Sequence, residues 1–173
     1  MWTITMILIL CTCACVFLYS ASGSGILFAA TIALGTTVYH FLMRLCTGLI
    51  CNKAMKNRAD LRKSRYRCRS WEGPIYEKLK VKRWKRRMPT YEDDFFDPGK
   101  HSWIEIAQAS CQAETVHEVI ILLSFVPVIF SIWVGEITVF MITSVLAAGI
   151  DMIFVIIQRY NRARIMKIIK PEK

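Results

Sequence analysis

The chain has 173 residues, of which 54% are hydrophobic, and it carries a formal net charge of +10. A mean hydropathy of +0.37 is too apolar for a soluble domain of this size, which favours one compact membrane unit. Together with four apolar runs in the sequence, this composition predicts an all-α integral membrane four-helix bundle. Its charge predicts a basic cytoplasmic segment, in which we expect an amphipathic helix.

Four apolar runs predict the membrane-spanning helices, because each can cross a hydrocarbon core of roughly 30 Å at about 1.5 Å per residue. Short connections, residues 20–25 and Gly135-Glu136, predict two helical hairpins. The runs are Trp2–Leu18, Ile26–Leu42, Val119–Val134 and Ile137–Ile157. The predicted organisation is a hairpin in 1–50, a basic segment with an interfacial helix and an acidic loop in 51–101, a helix entering the second hairpin in 102–157, and a basic tail in 158–173.

Basic residues are distributed unevenly along the chain. Of the 23 Lys and Arg residues, 16 lie in residues 51–118 and six lie in residues 159–173, while neither short connection contains any. The positive-inside rule then predicts a multi-pass protein with both termini and the central segment in the cytoplasm. As an alternative for the first run, Ser20-Ala21-Ser22 is similar to a signal-peptidase site, which would make that run removable.

The seven cysteines have no zinc-type spacing, and the predicted topology places them in the bilayer or facing reducing cytoplasm. We interpret them as free thiols, and we predict neither a metal site nor a resident cofactor. The chain also lacks the serine-elbow, phosphate-loop, dinucleotide and zinc-protease motifs. Common soluble chemistries are therefore unsupported.

Residues 53–87 contain 15 basic and three acidic residues, which indicates a strongly positive local field. Anionic lipid headgroups or a phosphate-bearing substrate fit this field. Nucleic acid is disfavoured, because four tethering helices accompany no recognisable nucleic-acid module.

Ile75, Leu79, Trp84 and Met88 recur at near-helical intervals among basic residues and predict one interfacial amphipathic helix that Pro89 ends. Both a surface anchor and a substrate-contacting role remain open for this helix. The acidic, turn-rich stretch 91–99 that follows predicts either a linker or a flap over a site.

Ser102 and Glu105 have capping-box spacing, which predicts a helix that begins here and continues unbroken into the third apolar run. Near its membrane end, Glu114 and His117 are three residues apart and share a helical face. This spacing predicts a general base, His117, with Glu114 as its orienting carboxylate. The alternative for His117 is a hydrogen-bonded packing residue near the interface.

Ionisable residues also occur inside two apolar runs, where each costs roughly 2.5 to 3.5 kcal/mol on insertion scales. Asp151 lies in the fourth run, while His40 and Arg44 lie one turn apart on the second. We expect Asp151 and Arg44 to pair across helices, and a role for these residues in binding substrate stays open.

The segment that follows the fourth run combines three guanidinium groups, a phenol and two carboxamides within seven residues. Such a combination is typical of an anion-binding cluster held at the membrane surface. A basic stop that fixes orientation explains its charges, although it leaves its polar members unexplained. These residues are Gln158, Arg159, Tyr160, Asn161, Arg162 and Arg164.

Three stretches together resemble the glycosyl-4,4'-diaponeurosporenoate acyltransferase family, small bacterial membrane proteins whose named member esterifies the sugar of a glycosylated carotenoid with a fatty acid. The resemblance extends from about Val81 to the end of the chain. The family pattern has a proline where this chain has Ala163, so we expect the helix to continue into the tail. The stretches are Arg83-Trp84-Lys85, Ala113-Glu114-Thr115-Val116-His117 and Gln158 to Arg164.

The resemblance implies an O-acyltransferase of the bacterial cell membrane that uses acyl-CoA or another acyl donor as cosubstrate. It implies that His117, oriented by Glu114, deprotonates a lipid-linked hydroxyl. Arg159, Arg162, Arg164 and Lys85 would hold donor phosphates, with Trp84 and Gln158 in the same binding region, and Asn161 or Tyr160 would stabilise the oxyanion.

Two other classes of function remain alternatives: another lipid-modifying enzyme, such as a methyltransferase or reductase, and a non-catalytic lipid-binding membrane protein. Membrane lipids are the expected surroundings in each case. The acyl acceptor, whether a glycosylated carotenoid or another glycolipid, and the oligomeric state stay open.

Overall fold

The computed structural model describes residues 2–88 and 93–169, without the side chains of Arg86, Asp93 and Asp94. Within these residues the chain is all helical and has no strand, which confirms the predicted fold class. Four helical segments are long and apolar enough to cross a membrane. These segments are α1 (Trp2–Ser22), α2 (Gly25–Met55), α5 and α6 together (Trp103–Leu123 and Val126–Val134), and α7 (Ile137–Ile169).

The two predicted hairpin connections are both present. Gly23 (φ +62°) follows α1, and Gly135 (φ +78°) follows α6, each in the left-handed region that glycine adopts without steric cost. Both second helices extend well beyond their apolar runs, to Met55 and Ile169. The extension of α7 passes through Ala163, as the absence of proline there predicts.

The start of α5 carries the predicted capping box. The Ser102 amide donates to Glu105 Oε2 at 2.8 Å, and the Glu105 amide donates to Ser102 Oγ at 3.3 Å. These reciprocal bonds satisfy amide groups that have no partner within the helix. The helix then enters the third apolar run without interruption.

The third apolar run itself is divided, which the sequence analysis did not predict. Helix α5 ends at Leu123 and α6 begins at Val126, with Pro127 in its first turn. Proline has no amide hydrogen, so it cannot donate to the carbonyl four residues earlier. That carbonyl, of Leu123, instead accepts a hydrogen bond from the Tyr39 hydroxyl at 2.8 Å.

The basic segment forms short helices, and the prediction of one continuous amphipathic helix from Ile75 to Met88 is wrong. Lys80 has φ +50° and separates α3 (Glu72–Lys78) from α4 (Val81–Trp84). The Trp84 indole donates to the Leu79 carbonyl at 2.9 Å across this break. The side chains that become buried are Tyr76 and Val81, whereas Ile75 and Leu79 are exposed.

Three short 3₁₀ turns complete the segment, at Ser64–Tyr66, Lys85–Arg87 and Asp93–Phe96. Pro89 and the first residues of the predicted acidic loop, 91 and 92, lie outside the described residues. The remainder of that loop leads through a turn to Ser102, where α5 is capped.

The chain forms two compact units. The apolar unit comprises residues 1–50 and 119–151, and the basic unit comprises residues 51–118 and 152–173. A small core in the basic unit is built from Ile106 and Ala107 of α5 and Ile165 of α7, with Leu61, Phe96 and Ile169 packed against it. The ends of α5 and α7 are therefore joined by apolar contact within the basic unit.

Candidate functional site

Glu114 of α5 forms the centre of the polar contacts in the basic unit. Its side chain is fully buried, and Oε1 accepts a hydrogen bond from Arg159 Nη1 at 2.5 Å. Oε2 is ion-paired with Arg162 Nη1. One carboxylate of α5 is thus shared between two guanidinium groups that lie one turn apart on α7.

Glu72 of α3 supplies the second carboxylate. Oε1 accepts from Arg159 Nη2 at 2.5 Å and Oε2 accepts from Arg159 Nε at 3.2 Å, so the contact is bidentate. The Tyr76 hydroxyl donates to Oε2 at 2.6 Å, and the Arg69 amide donates to Oε1 at 3.2 Å. Glu72, Glu114, Arg159 and Arg162 together are called the carboxylate–guanidinium network below.

The pKa of the Glu72 carboxyl reflects two opposing causes. Burial favours the neutral acid, but hydrogen bonds from Arg159, Tyr76 and the Arg69 amide outweigh burial and lower the pKa. The pKa of the Tyr76 phenol is raised, because the ring is buried and its proton is held by Glu72. Burial and the nearby Glu72 carboxylate likewise raise the pKa of the Cys68 thiol. The carboxylate is therefore the ionised member of this group.

The two arginines also bind three consecutive backbone carbonyls of the basic segment. Arg159 donates to the carbonyls of Arg65, at 3.0 Å, and Arg67, at 3.3 Å. Arg162 donates from Nε to the carbonyl of Tyr66 at 3.0 Å. These carbonyls lie in and after a 3₁₀ turn. The two arginine side chains of α7 act as their hydrogen-bond donors.

Tyr66 itself is buried beside the network. Its hydroxyl lies 3.1 Å from Thr115 Oγ1 of α5, and the Arg162 guanidinium lies over its ring at 5.4 Å. Tyr66 therefore contacts both helices that carry the network.

The predicted seven-residue cluster divides between two sets of contacts. Arg159 and Arg162 belong to the network, whereas Tyr160, Asn161 and Arg164 belong to a cation–aromatic cluster. The Tyr160 ring lies 4.8 Å from Lys85 Nζ, 5.9 Å from the Arg164 guanidinium and 5.6 Å from the Tyr76 ring. Lys85 donates to Asn161 Oδ1 at 2.5 Å. The segment thus takes part in two sets of contacts, and its role as an anion-binding cluster stays a prediction.

Two further predicted binding residues form contacts outside the network. Gln158 is buried, its backbone carbonyl accepts from Ser110 Oγ at 2.9 Å, and its side-chain oxygen has no hydrogen-bond partner among the described residues. Trp84 contacts the backbone of its own segment through Leu79. A role for either in binding substrate stays a prediction.

His117 lies on α5 one turn after Glu114 and is half-buried. Its ring stacks on Phe154 of α7, with centroids 4.9 Å apart and an interplanar angle of 12°. Both carboxylate oxygens of Glu114 are engaged by arginines, so the carboxylate is committed to the network. The predicted roles of His117 as a base and of Glu114 as its orienting group stay predictions.

A cavity of about 530 Å³ opens beside the network in the basic unit. Its wall includes Arg159, Arg162, Ala163, Met166 and Lys167 of α7. The opposite wall is formed by Leu61 and by residues 66–70, 72 and 73 of the basic segment. The cavity is therefore lined by residues that the network holds together.

The apolar unit contains the expected intramembrane ion pair. Arg44 pairs with Asp151 and also donates to the Ala147 carbonyl at 3.2 Å. His40 is buried one turn before Arg44, and neither of its ring nitrogens has a hydrogen-bond partner among the described residues. These contacts join α2 to α7 within the apolar unit.

Sequence reasoning missed Glu72, Tyr66 and Tyr76 as members of the site. The sequence offered only a weak signal. Glu72 is one of three acidic residues among the 15 basic residues of 53–87, and Tyr76 lies four residues after Glu72. In the described part of the chain, no three His, Cys, Asp or Glu side chains are placed to hold a metal ion.

Within the described residues the protein is all helical, with four helical segments long and apolar enough to cross a membrane, and ion pairs and apolar contacts connect the ends of α5 and α7 to the basic segment. A family model described as glycosyl-4,4'-diaponeurosporenoate acyltransferase, CrtO, matches residues 62–171. The chain belongs to this family, as the three stretches of sequence indicated. No curated protein and no solved structure matches the chain.

Proposed function

We propose that the protein is a membrane O-acyltransferase that transfers a fatty acyl group from acyl-CoA to a hydroxyl of a glycosylated carotenoid or related glycolipid. Family membership over residues 62–171 supports acyl transfer in carotenoid biosynthesis. Four apolar helices suit a lipid acceptor that resides in the bilayer. The basic segment, both termini and the donor would face the cytoplasm, in accordance with the positive-inside rule.

The observation that carries the proposal is the position of His117. The imidazole is half-buried, rests against Phe154 and lies one turn from Glu114, the fully buried centre of the network. A half-buried histidine on a rigid support is suited to act as a general base. Ion pairs to two arginines of α7 hold the helix that carries it.

In the proposed reaction, His117 takes the proton of the acceptor hydroxyl as that oxygen attacks the thioester carbonyl. A new C–O ester bond forms, the C–S bond breaks, and the departing thiolate of CoA takes up the proton from the imidazolium. Asn161 is a candidate donor to the oxyanion through its amide nitrogen, because its carbonyl oxygen accepts from Lys85. The Tyr160 hydroxyl is the other candidate.

Glu114 acts in this proposal as a positioning residue. Its contacts with Arg159 and Arg162 keep α5 and α7 in register, which fixes the stacking of His117 on Phe154. Rigid support of this kind matters, since small displacements of a catalytic group reduce rates severely.

The test is reconstitution of the purified protein in liposomes with labelled palmitoyl-CoA and a glycosylated carotenoid or glycolipid. The proposal predicts a labelled ester that mild alkali removes from the lipid extract, with release of free CoA. Parallel reactions with S-adenosylmethionine and with a reduced nicotinamide nucleotide provide the comparison. Lipid methylation or reduction, with no ester formed from any acyl donor, would overturn the assignment.

A further inference from the structure

We propose that the 530 Å³ cavity of the basic unit binds the phosphate groups of the acyl donor, through Arg67, Arg69 and Lys167. None of these three residues is among those predicted from the sequence to bind substrate. The inference rests on the proposed function for the identity of the ligand. Its evidence, however, is the charge and shape of the cavity.

The cationic side chains that line the cavity differ in whether a carboxylate neutralises them. Arg159 and Arg162 face it, but each is neutralised by a carboxylate of the network. Arg67, Arg69 and Lys167 line it as exposed side chains, and within residues 2–88 and 93–169 they form no ion pair. Three cationic side chains around one concave space are thus left to attract an anion, and guanidinium groups match phosphate oxygens well.

The network explains why these cations stay close together. Arg159 holds the carbonyls of Arg65 and Arg67, and Arg162 holds the carbonyl of Tyr66. These bonds keep the backbone that carries Arg67 and Arg69 next to α7, which carries Lys167. Arg159 and Arg162 therefore hold the cavity wall in place. The exposed Arg67, Arg69 and Lys167 provide the positive charge for binding.

Size and composition fit a nucleotide-type ligand. A volume of about 530 Å³ falls within the range of roughly 300 to 1,000 Å³ that is usual for small-molecule sites. Leu61 and Met166 add apolar surface to the cationic lining, and Ser70 adds a hydroxyl. A phosphate ester that also carries an aromatic base needs this mixture.

The cavity is also close to the proposed base along the chain. Arg159 at the cavity follows Phe154, which holds the His117 ring, by five residues of α7, or about 7.5 Å of helix. This offset along the helix axis is shorter than an extended acyl-CoA molecule.

The experiment measures binding of free CoA, which has phosphates but no acyl group, to the protein in nanodiscs of neutral lipid. The cavity variant is Arg67→Gln, Arg69→Gln and Lys167→Gln combined. Its matched control removes the same charge from exposed residues of the same segment that do not line the cavity, Arg58→Gln, Arg62→Gln and Lys63→Gln. We expect the cavity variant to bind CoA at least about tenfold more weakly and the control to bind almost as the wild type does.

Equal affinity for CoA in the cavity variant and the wild type would overturn the proposal. Anionic lipid headgroups present the same phosphate chemistry, so a second arm measures binding to vesicles that contain phosphatidylglycerol. If the cavity variant lost only vesicle binding and kept CoA binding, a soluble donor would be the wrong ligand.

A third arm uses the wild-type protein alone and compares CoA, dephospho-CoA and pantetheine. Affinity that falls in this order supports phosphate recognition, whereas pantetheine binding as tight as that of CoA contradicts it. Because no acyl group or acceptor is present, these outcomes are independent of catalysis. A His117→Ala protein that binds CoA normally but forms no ester would separate binding from chemistry.

Discussion

Each unit of the molecule buries arginine against carboxylate, but the two arrangements differ in how many groups share the charge. In the apolar unit Arg44 meets one carboxylate, Asp151, and its remaining contacts are backbone carbonyls. In the basic unit, two carboxylates and two guanidinium groups form a chain of ion pairs. Arg159 forms an ion pair with both carboxylates. The first is an ion pair of two side chains, and the second is a network of four.

The difference has a physical consequence. The desolvation cost of an isolated pair is comparable to its Coulomb gain, and apolar residues of similar volume can replace it at little cost. In the network, Arg159 and Glu114 each have two charged partners, so removal of either one leaves two groups less compensated. We therefore expect the apolar unit to tolerate loss of its whole pair, and the basic unit to be most sensitive to loss of Arg159 or Glu114.

The largest effect is expected for Glu114→Gln. This change leaves Arg159 and Arg162 with one carboxylate between them, and loss of a buried partner costs about 3 to 5 kcal/mol. Unfolding in mixed micelles measures the loss. Glu118→Gln is the matched control, one turn along α5, because its pair with Arg65 is partly exposed and its loss costs less than about 1 kcal/mol. Equal losses in the two variants would remove the distinction between network and surface pair.

A smaller loss is expected for Arg44→Met. Asp151 then loses the guanidinium with which it forms an ion pair, and we expect a cost of about 2 to 3 kcal/mol. The same unfolding measurement applies. A loss larger than that of Glu114→Gln would reverse the comparison.

Glu72→Gln tests the contribution of Glu72 to the network by its effect on how stability depends on pH. Hydrogen bonds hold the folded-state pKa of Glu72 below its ordinary value of 4.5, so its stabilisation is complete above pH 4.5 and is lost as pH falls through the lowered pKa. We expect a loss of about 2 kcal/mol near neutral pH and a weaker dependence of stability on pH below 4.5. Unchanged acid dependence in the variant would show that Glu72 does not carry it.

The smallest effect is expected when both members of the Arg44–Asp151 pair are replaced. The double variant Arg44→Met, Asp151→Leu exchanges two charges for apolar groups and should remain within about 1 kcal/mol of the wild type. Comparison with the single Arg44→Met variant completes the test. A double variant that is less stable than the single variant would show that the pair contributes net stability.

Local sequence signals predicted the elements well wherever a pattern and its partner lie close in the chain. The apolar runs identified the spanning helices, and Ser102 with Glu105 identified the start of α5. Gly135 marked the second hairpin, and Ala163 allowed α7 to continue. In each case the signal and the structure it specifies are separated by a few residues.

The missed features depend on groups with no local signal or with a distant partner. Lys80 adopts a left-handed conformation without being glycine or asparagine, the residues that usually indicate one. Pro127 was compatible both with a continuous apolar run and with a new first turn. Glu72 is 87 residues from Arg159, so nothing near it in the sequence indicated a buried ion pair.

The central claim is tested most directly by the initial rate of ester formation by His117→Ala in liposomes with labelled acyl-CoA. His101→Ala is the control, because it removes a histidine that lies outside the network. The account predicts a rate at least about 100-fold below that of the wild type for His117→Ala, with the control unchanged and both proteins equally stable. A His117→Ala protein that forms ester at the wild-type rate would contradict the account.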